Sequence, residues 1–135
     1  IILMKDNVYK ILRENEWEKA SSTGEIITDL DEQDGFIHLS TASQLAVTLS
    51  FFFQNSDIVY LLEIDLEEID KQNLFFEEAY PSGGKRKSAF PHLYSALKTK
   101  HIANVWTLKR NAFDLPEEVL LQGENNSKYG AGDRI

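Results

Sequence analysis

Apolar positions recur along the chain in short runs, most of them two residues apart. Residues 7–12 (NVYKIL) read as a strand, rich in Val, Tyr and Ile. Asn15-x-x-Glu18 resembles a capping box and opens a short helix around Trp17 and Ala20, ending before Gly24. A short strand at 25–28 and an acidic loop at 29–34 lead to the strand 35–40 (GFIHLS). Thr41-x-x-Gln44 is a second capping box, starting a helix to about Phe53 in which Leu45, Leu49 and Phe52 recur at helical spacing. Residues 58–65 (IVYLLEID) are apolar on both faces, as in a central sheet strand. Strands at 74–79, 89–94 and 103–109 complete the set, and the polar, Gly-rich run 81–88 is a candidate lid. The pattern predicts an α+β fold with a bent, mainly antiparallel sheet and two or more short helices. It forms one globular domain over 5–121, and 122–135 is expected to be a loose polar tail.

Composition narrows the chemistry. The 135 residues, 42% hydrophobic and without Cys, suit one domain that holds a core and a cleft without disulfides. Thiolate catalysis and Cys-type zinc sites are excluded. The apolar opening Ile1 to Met4 is too short for a signal peptide or a membrane span, so a cytoplasmic protein is expected, with Met4 as its natural start. A net charge of −8 disfavours general nucleic-acid or anionic-membrane binding. The charge is uneven, however: residues 85–110 carry 7 basic groups and no acidic one.

Three clusters carry candidate chemistry. Period two sets Ile37 and Leu39 on one face and Phe36, His38 and Ser40 on the other, and the strand runs into a helix N-terminus beside Ser40 and Thr41. The plain alternative is a half-buried His38 and a Thr41 that only caps. In FPHLY, Phe90, His92 and Tyr94 share a side that can stack a planar ring; otherwise Pro91 marks an edge strand folded onto the core. Glu77 shares a face with Phe75 just before the Gly-rich run, either as an in-cleft carboxylate or as a solvated charge. His38, His92, His101 and Glu77 show no HxH or HExxH spacing, and there is no G-x-S-x-G elbow, P-loop or G-x-G-x-x-G.

VYKI…W, DGFIHLSTASQLA, and FPHLY followed by VW together resemble the family known as domain of unknown function 952, over roughly residues 8–108. More distantly, Ile37-His38-Leu39-Ser40 before a helix is similar to a motif of NAD-using RNA 2′-phosphotransferases, relatives of the ADP-ribosyltransferases. That likeness implies a split pair of bent sheets with NAD in the cleft. It implies His38 on a ribose or phosphate, Ser40 and Thr41 at the pyrophosphate, Tyr94 stacked on nicotinamide and Glu77 acting on the ribose. Tyr9 and Lys10 stand where this branch shows His-Gly or Arg, and Arg86 is the one arginine near the cleft.

The leading expectation is therefore an ADP-ribosyltransferase-like domain that binds NAD or ADP-ribose. His38, Glu77 and His92 form its catalytic set, and Tyr9, Lys10, Ser40, Thr41, Arg86, Phe90 and Tyr94 its ligand-binding set. The alternatives are a non-catalytic module taking a protein or RNA partner through residues 85–110, and a small histidine-dependent hydrolase.

Overall fold

A computed structural model describes residues 7–53, 55–79, 88–109 and 116–128. The first strand, β1 (Val8–Arg13), alternates as its sequence predicts, and both of its faces are covered. Val8 and Leu12 point into one buried cluster; Tyr9 and Ile11 point into another. The helix that follows, α1 (Glu14–Thr23), begins directly at the strand end. The Arg13 backbone N–H, rather than an Asn15 cap, donates to Glu16 Oε1 at 2.8 Å. Gly24, at φ +82°, closes the helix as a left-handed C-cap that a side chain would strain.

Residues expected as an acidic loop form a second helix, α2 (Asp29–Asp34). Thr28 Oγ1 accepts from the Asp31 N–H at 3.1 Å, and Asp31 Oδ2 accepts from the Thr28 N–H at 3.0 Å. That is a capping box with Asp in place of the usual Glu, strong enough to organise a six-residue helix. The strand expected before it shrinks to a single bridge, Glu25 to Lys98.

The expected strand 35–40 divides between two sheets. Its first part, β2 (Ile37–His38), joins a three-stranded sheet, and its second, β3 (Ser40–Thr41), joins a four-stranded one. Leu39 is the crossing residue, and its N–H donates to the Pro91 carbonyl at 3.0 Å. Thr41 and Gln44 form the expected box, opening a turn of 3₁₀ helix and then α3 (Leu45–Phe52). The remaining strands are β4 (Ile58–Ile64), β5 (Leu74–Ala79), β6 (Ser88–Leu93) and β7 (Ile102–Lys109).

All pairings are antiparallel, in the orders β3-β1-β4-β7 and β2-β6-β5. β4 is interior, as its two apolar faces require. β6 is the middle of its sheet, so Pro91 is not an edge marker; its carbonyl points toward Leu39, and its missing N–H falls where β2 leaves the sheet.

One face of the larger sheet packs on α1 and the smaller sheet, burying Ile37, Leu39, Leu62 and Leu93, with Trp17 stacked on Tyr60 at 5.6 Å. The other face carries α3 and a final helix, α4 (Glu117–Lys128), through Leu45, Leu49 and Val119. The helix replaces the loose tail expected from residue 122, as far as Lys128. Gly123 brings α4 close to the turn at Ala42, where a Cβ would sit 3.7 Å from the Ala42 carbonyl carbon. The candidate lid at 81–88 lies outside the described residues except for the backbone of Ser88.

Candidate functional site

The seam between the sheets creates the site. Because β3 is two residues long, it covers β1 only at Val8 and Tyr9. Beyond them, the edge of β1 facing away from β4 has no strand partner among the described residues. A pocket of about 450 Å³ lies along this edge, with walls from β1, α2, α3, the crossing at Leu39 and β6.

Asp31 organises one wall. Its side chain is fully buried and accepts from Lys10 Nζ at 3.0 and 2.8 Å, from His38 Nδ1 at 2.7 Å, and from the His38 N–H at 3.0 Å. Burial alone would raise this carboxyl. The His38 and Lys10 hydrogen bonds and the Lys10 charge outweigh it and hold Asp31 well below the usual carboxylate range. Burial draws the Lys10 ammonium down, with Asp31 opposing. Lys10 also donates to the His38 carbonyl at 3.0 Å, so β1, α2 and β2 are tied at one point. The second nitrogen of His38, Nε2, lies 2.9 Å from Asp34 at the far end of α2.

The other wall comes from the β5–β6 pair. His92 faces Phe75 in the register and lies one pair from Phe76–Pro91, so Glu77, two residues along β5, reaches the same face. Glu77 Oε1 lies 2.6 Å from His92 Nδ1 and accepts from the Tyr94 hydroxyl at 2.7 Å. These two bonds, Tyr94's first, hold Glu77 below the usual carboxylate range and raise the Tyr94 hydroxyl in turn. Phe36 stacks on His92 with ring centres 4.0 Å apart and touches His38 at 4.6 Å and Tyr94 at 5.2 Å. The two histidine rings meet edge to face at 5.7 Å.

The predicted residues divide accordingly. His38, Ser40, Phe90 and His92 line the pocket, and Glu77 and Tyr94 join it at the rim through His92. Ser40 shares a hydrogen bond of 3.0 Å with Thr48 of α3. Tyr9 borders the pocket but is almost wholly buried, and burial, with Glu63 adding to it, pushes its hydroxyl up to about 12. Lys10, expected to bind ligand, borders it too, with its charge matched by Asp31 at 2.8 Å. Thr41 is buried and does not line the pocket; it serves the capping box instead. Arg86 lies outside the described residues.

Sequence reasoning missed Asp31, Asp34, Phe36 and Thr48 as site residues. The available signal for Asp31 was Thr28-x-x-Asp31, and for Phe36 its place on the His38 face. Among the described residues, no group of three His, Asp or Glu side chains converges to hold a metal ion. No described helix is long and apolar enough to cross a membrane.

Fold and site together define a class: an α+β domain of two antiparallel sheets with a histidine-lined pocket at their seam. Within it, the chain belongs to the family described as protein of unknown function DUF952, whose model matches residues 11–105. It is similar to protein CC0527 from Caulobacter crescentus. The crystal structure of that protein is 28% identical at a TM-score of 0.69, covering 86% of this chain and 97% of that one. Its solution structure is 31% identical at 0.64, covering 84% and 93%. No curated protein matches the chain.

Proposed function

We propose that the chain is an ADP-ribosyltransferase-like domain that takes NAD or ADP-ribose into the pocket at the β1 edge and reacts at the nicotinamide ribose. The observation that carries the reading is the pairing of His38 and His92 on the adjacent strands β2 and β6, which sets their rings 5.7 Å apart in the lining of one pocket. The volume of about 450 Å³ is in the range of small-molecule sites. Phe90 supplies aromatic surface to the lining, Phe36 backs the His92 ring, and Ser40 and Thr48 supply hydroxyls. This mixture suits a ligand that joins a planar ring to a hydroxyl-bearing sugar. Glu77 Oε2 has no partner among the described residues, so the carboxylate retains an oxygen for positive charge developing on a ribose.

Isothermal titration calorimetry with NAD and with ADP-ribose tests the reading. Heat is expected with at least one ligand, with affinity falling about tenfold, roughly 1.4 kcal/mol, in His38→Ala and in His92→Ala. No heat with either ligand at millimolar concentration overturns it.

A further inference from the structure

The two histidines present their nitrogens differently. Both nitrogens of His38 face carboxylates, Nδ1 toward Asp31 at 2.7 Å and Nε2 toward Asp34 at 2.9 Å. An ionised carboxylate only accepts, so both contacts are hydrogen bonds only when the ring carries both protons. In that arrangement both His38 nitrogens are engaged and the ring has no lone pair to offer. His92 has a carboxylate on one side only, Glu77 Oε1 at 2.6 Å from Nδ1. The contact puts the ring proton on Nδ1 and leaves the Nε2 lone pair without a partner among the described residues.

The His92 ring is also held in place. It is 7% exposed, stacked on Phe36 at 4.0 Å, and still part of the pocket lining. The Tyr94 hydroxyl donates to the same Glu77 oxygen at 2.7 Å, so the carboxylate cannot swing away without losing two bonds. An oriented imidazole with one open nitrogen in a pocket is the arrangement of a base.

We propose that His92 is the general base of the pocket, with Glu77 its positioning residue and with the neighbouring His38, both of whose nitrogens are engaged by carboxylates, taking no proton, and that the proton His92 accepts comes from water. The inference rests on the nucleotide reading of the pocket. In the hydrolysis that reading implies, a water O–H proton passes to His92 Nε2 as its oxygen bonds the ribose carbon. The bond from that carbon to the nicotinamide nitrogen breaks, its electron pair going to the nitrogen. His92 then releases its proton to solvent.

Two experiments on the full chain test this. Diethyl pyrocarbonate acylates an imidazole nitrogen only where a lone pair can be reached, and peptide mass spectrometry reads the three histidines separately. His92 is expected to react about tenfold faster than His38, with the rate at His92 falling several-fold in Glu77→Gln as the ring loses its anionic partner. His101, whose Nδ1 accepts the Lys98 N–H at 3.0 Å, is the reference. Equal rates at His38 and His92, or an unreactive His92 beside a reactive His101, overturn the proposal.

The second experiment measures nicotinamide release from NAD by chromatography alongside ADP-ribose binding by calorimetry. His92→Gln is expected to lower release roughly 100-fold or more, and to lower it at least about tenfold further than it lowers binding. Glu77→Gln, which removes charge and keeps shape, should shift the acid limb of the pH profile of release. A wild-type chain that binds ADP-ribose but releases no nicotinamide, or a His92→Gln chain that releases it normally, overturns the base role alone. A wild-type chain that binds neither ligand overturns the nucleotide reading, and the acylation pattern then decides the division between the histidines.

Discussion

Asp31 receives Lys10, the His38 ring, the His38 backbone and the Thr28 backbone on one buried carboxylate. Removing its charge strands the Lys10 ammonium in the interior, and Asp31→Asn is expected to cost roughly 3–5 kcal/mol by urea denaturation. Replacing both partners in a Lys10→Met, Asp31→Leu double variant should recover most of that stability, because the penalty lies in the unpaired charge. The acid response follows from the direction of the Asp31 shift. Its carboxyl is lower in the folded chain than the ordinary value of about 3.9 in the unfolded one. The stabilisation is therefore fully present above about pH 4 and is lost as pH falls through the folded value. Urea midpoints measured from pH 7 down to pH 2 should drop less steeply in Asp31→Asn than in the wild type; identical slopes would assign the acid sensitivity to other carboxylates. At this scale the faces of His38, His92 and Glu77 were legible, because period two sets a side chain's face within its own strand. Asp31 was not, because its partners come from β1 and β2.

Each short element is held by a local device with its own measurable worth. The Thr28 hydroxyl caps α2 and so holds Asp31 under the pocket. Thr28→Ala should cost about 1 kcal/mol in chemical denaturation and also weaken ADP-ribose binding. Preserved binding together with the lost stability would separate the cap from the site. Gly35 ends the same helix at φ +84°, with nothing within 4 Å of where a Cβ would sit, so the cost of Gly35→Ala is conformational. It should amount to roughly 1–2 kcal/mol, read by thermal denaturation. Strands were legible at this scale through alternation, and the Thr41–Gln44 box through its spacing. The α2 helix was read as a loop because its composition is acidic and polar, whereas its helicity comes from the Thr28–Asp31 box and the Gly35 cap.

Across the whole molecule, the charge of −8 and the narrow seam act in the same direction. On the proposed nucleotide reading, a small ligand enters the pocket at the seam, while a long phosphate chain is repelled by the net negative charge of the molecule. At physiological salt, a ten-nucleotide single-stranded RNA should bind at least about tenfold more weakly than ADP-ribose, measured by fluorescence anisotropy competition. Tighter RNA binding would point instead to the basic segment 85–110 as the functional surface. Packing sets a further expectation: Leu62, wholly buried between the sheets, should cost roughly 2–5 kcal/mol on replacement by Ala without altering which ligand binds.

The amino-acid pattern by itself determined the strand segments other than the one expected at 25–28, that β4 is interior, and which face of each strand carries its histidine. All of these follow from alternation and from turn and cap residues a few positions apart. Only the tertiary structure decided that residues 35–41 split between two sheets at Leu39, that the split leaves β1 beyond Tyr9 without a strand partner on that edge among the described residues, and that His38 and His92 close on one another. The physical reason is range. Alternation and capping act within one turn or one strand, whereas the choice of strand partner depends on burying Ile37, Leu39, Leu62 and Leu93 together, residues whose contact no local spacing encodes.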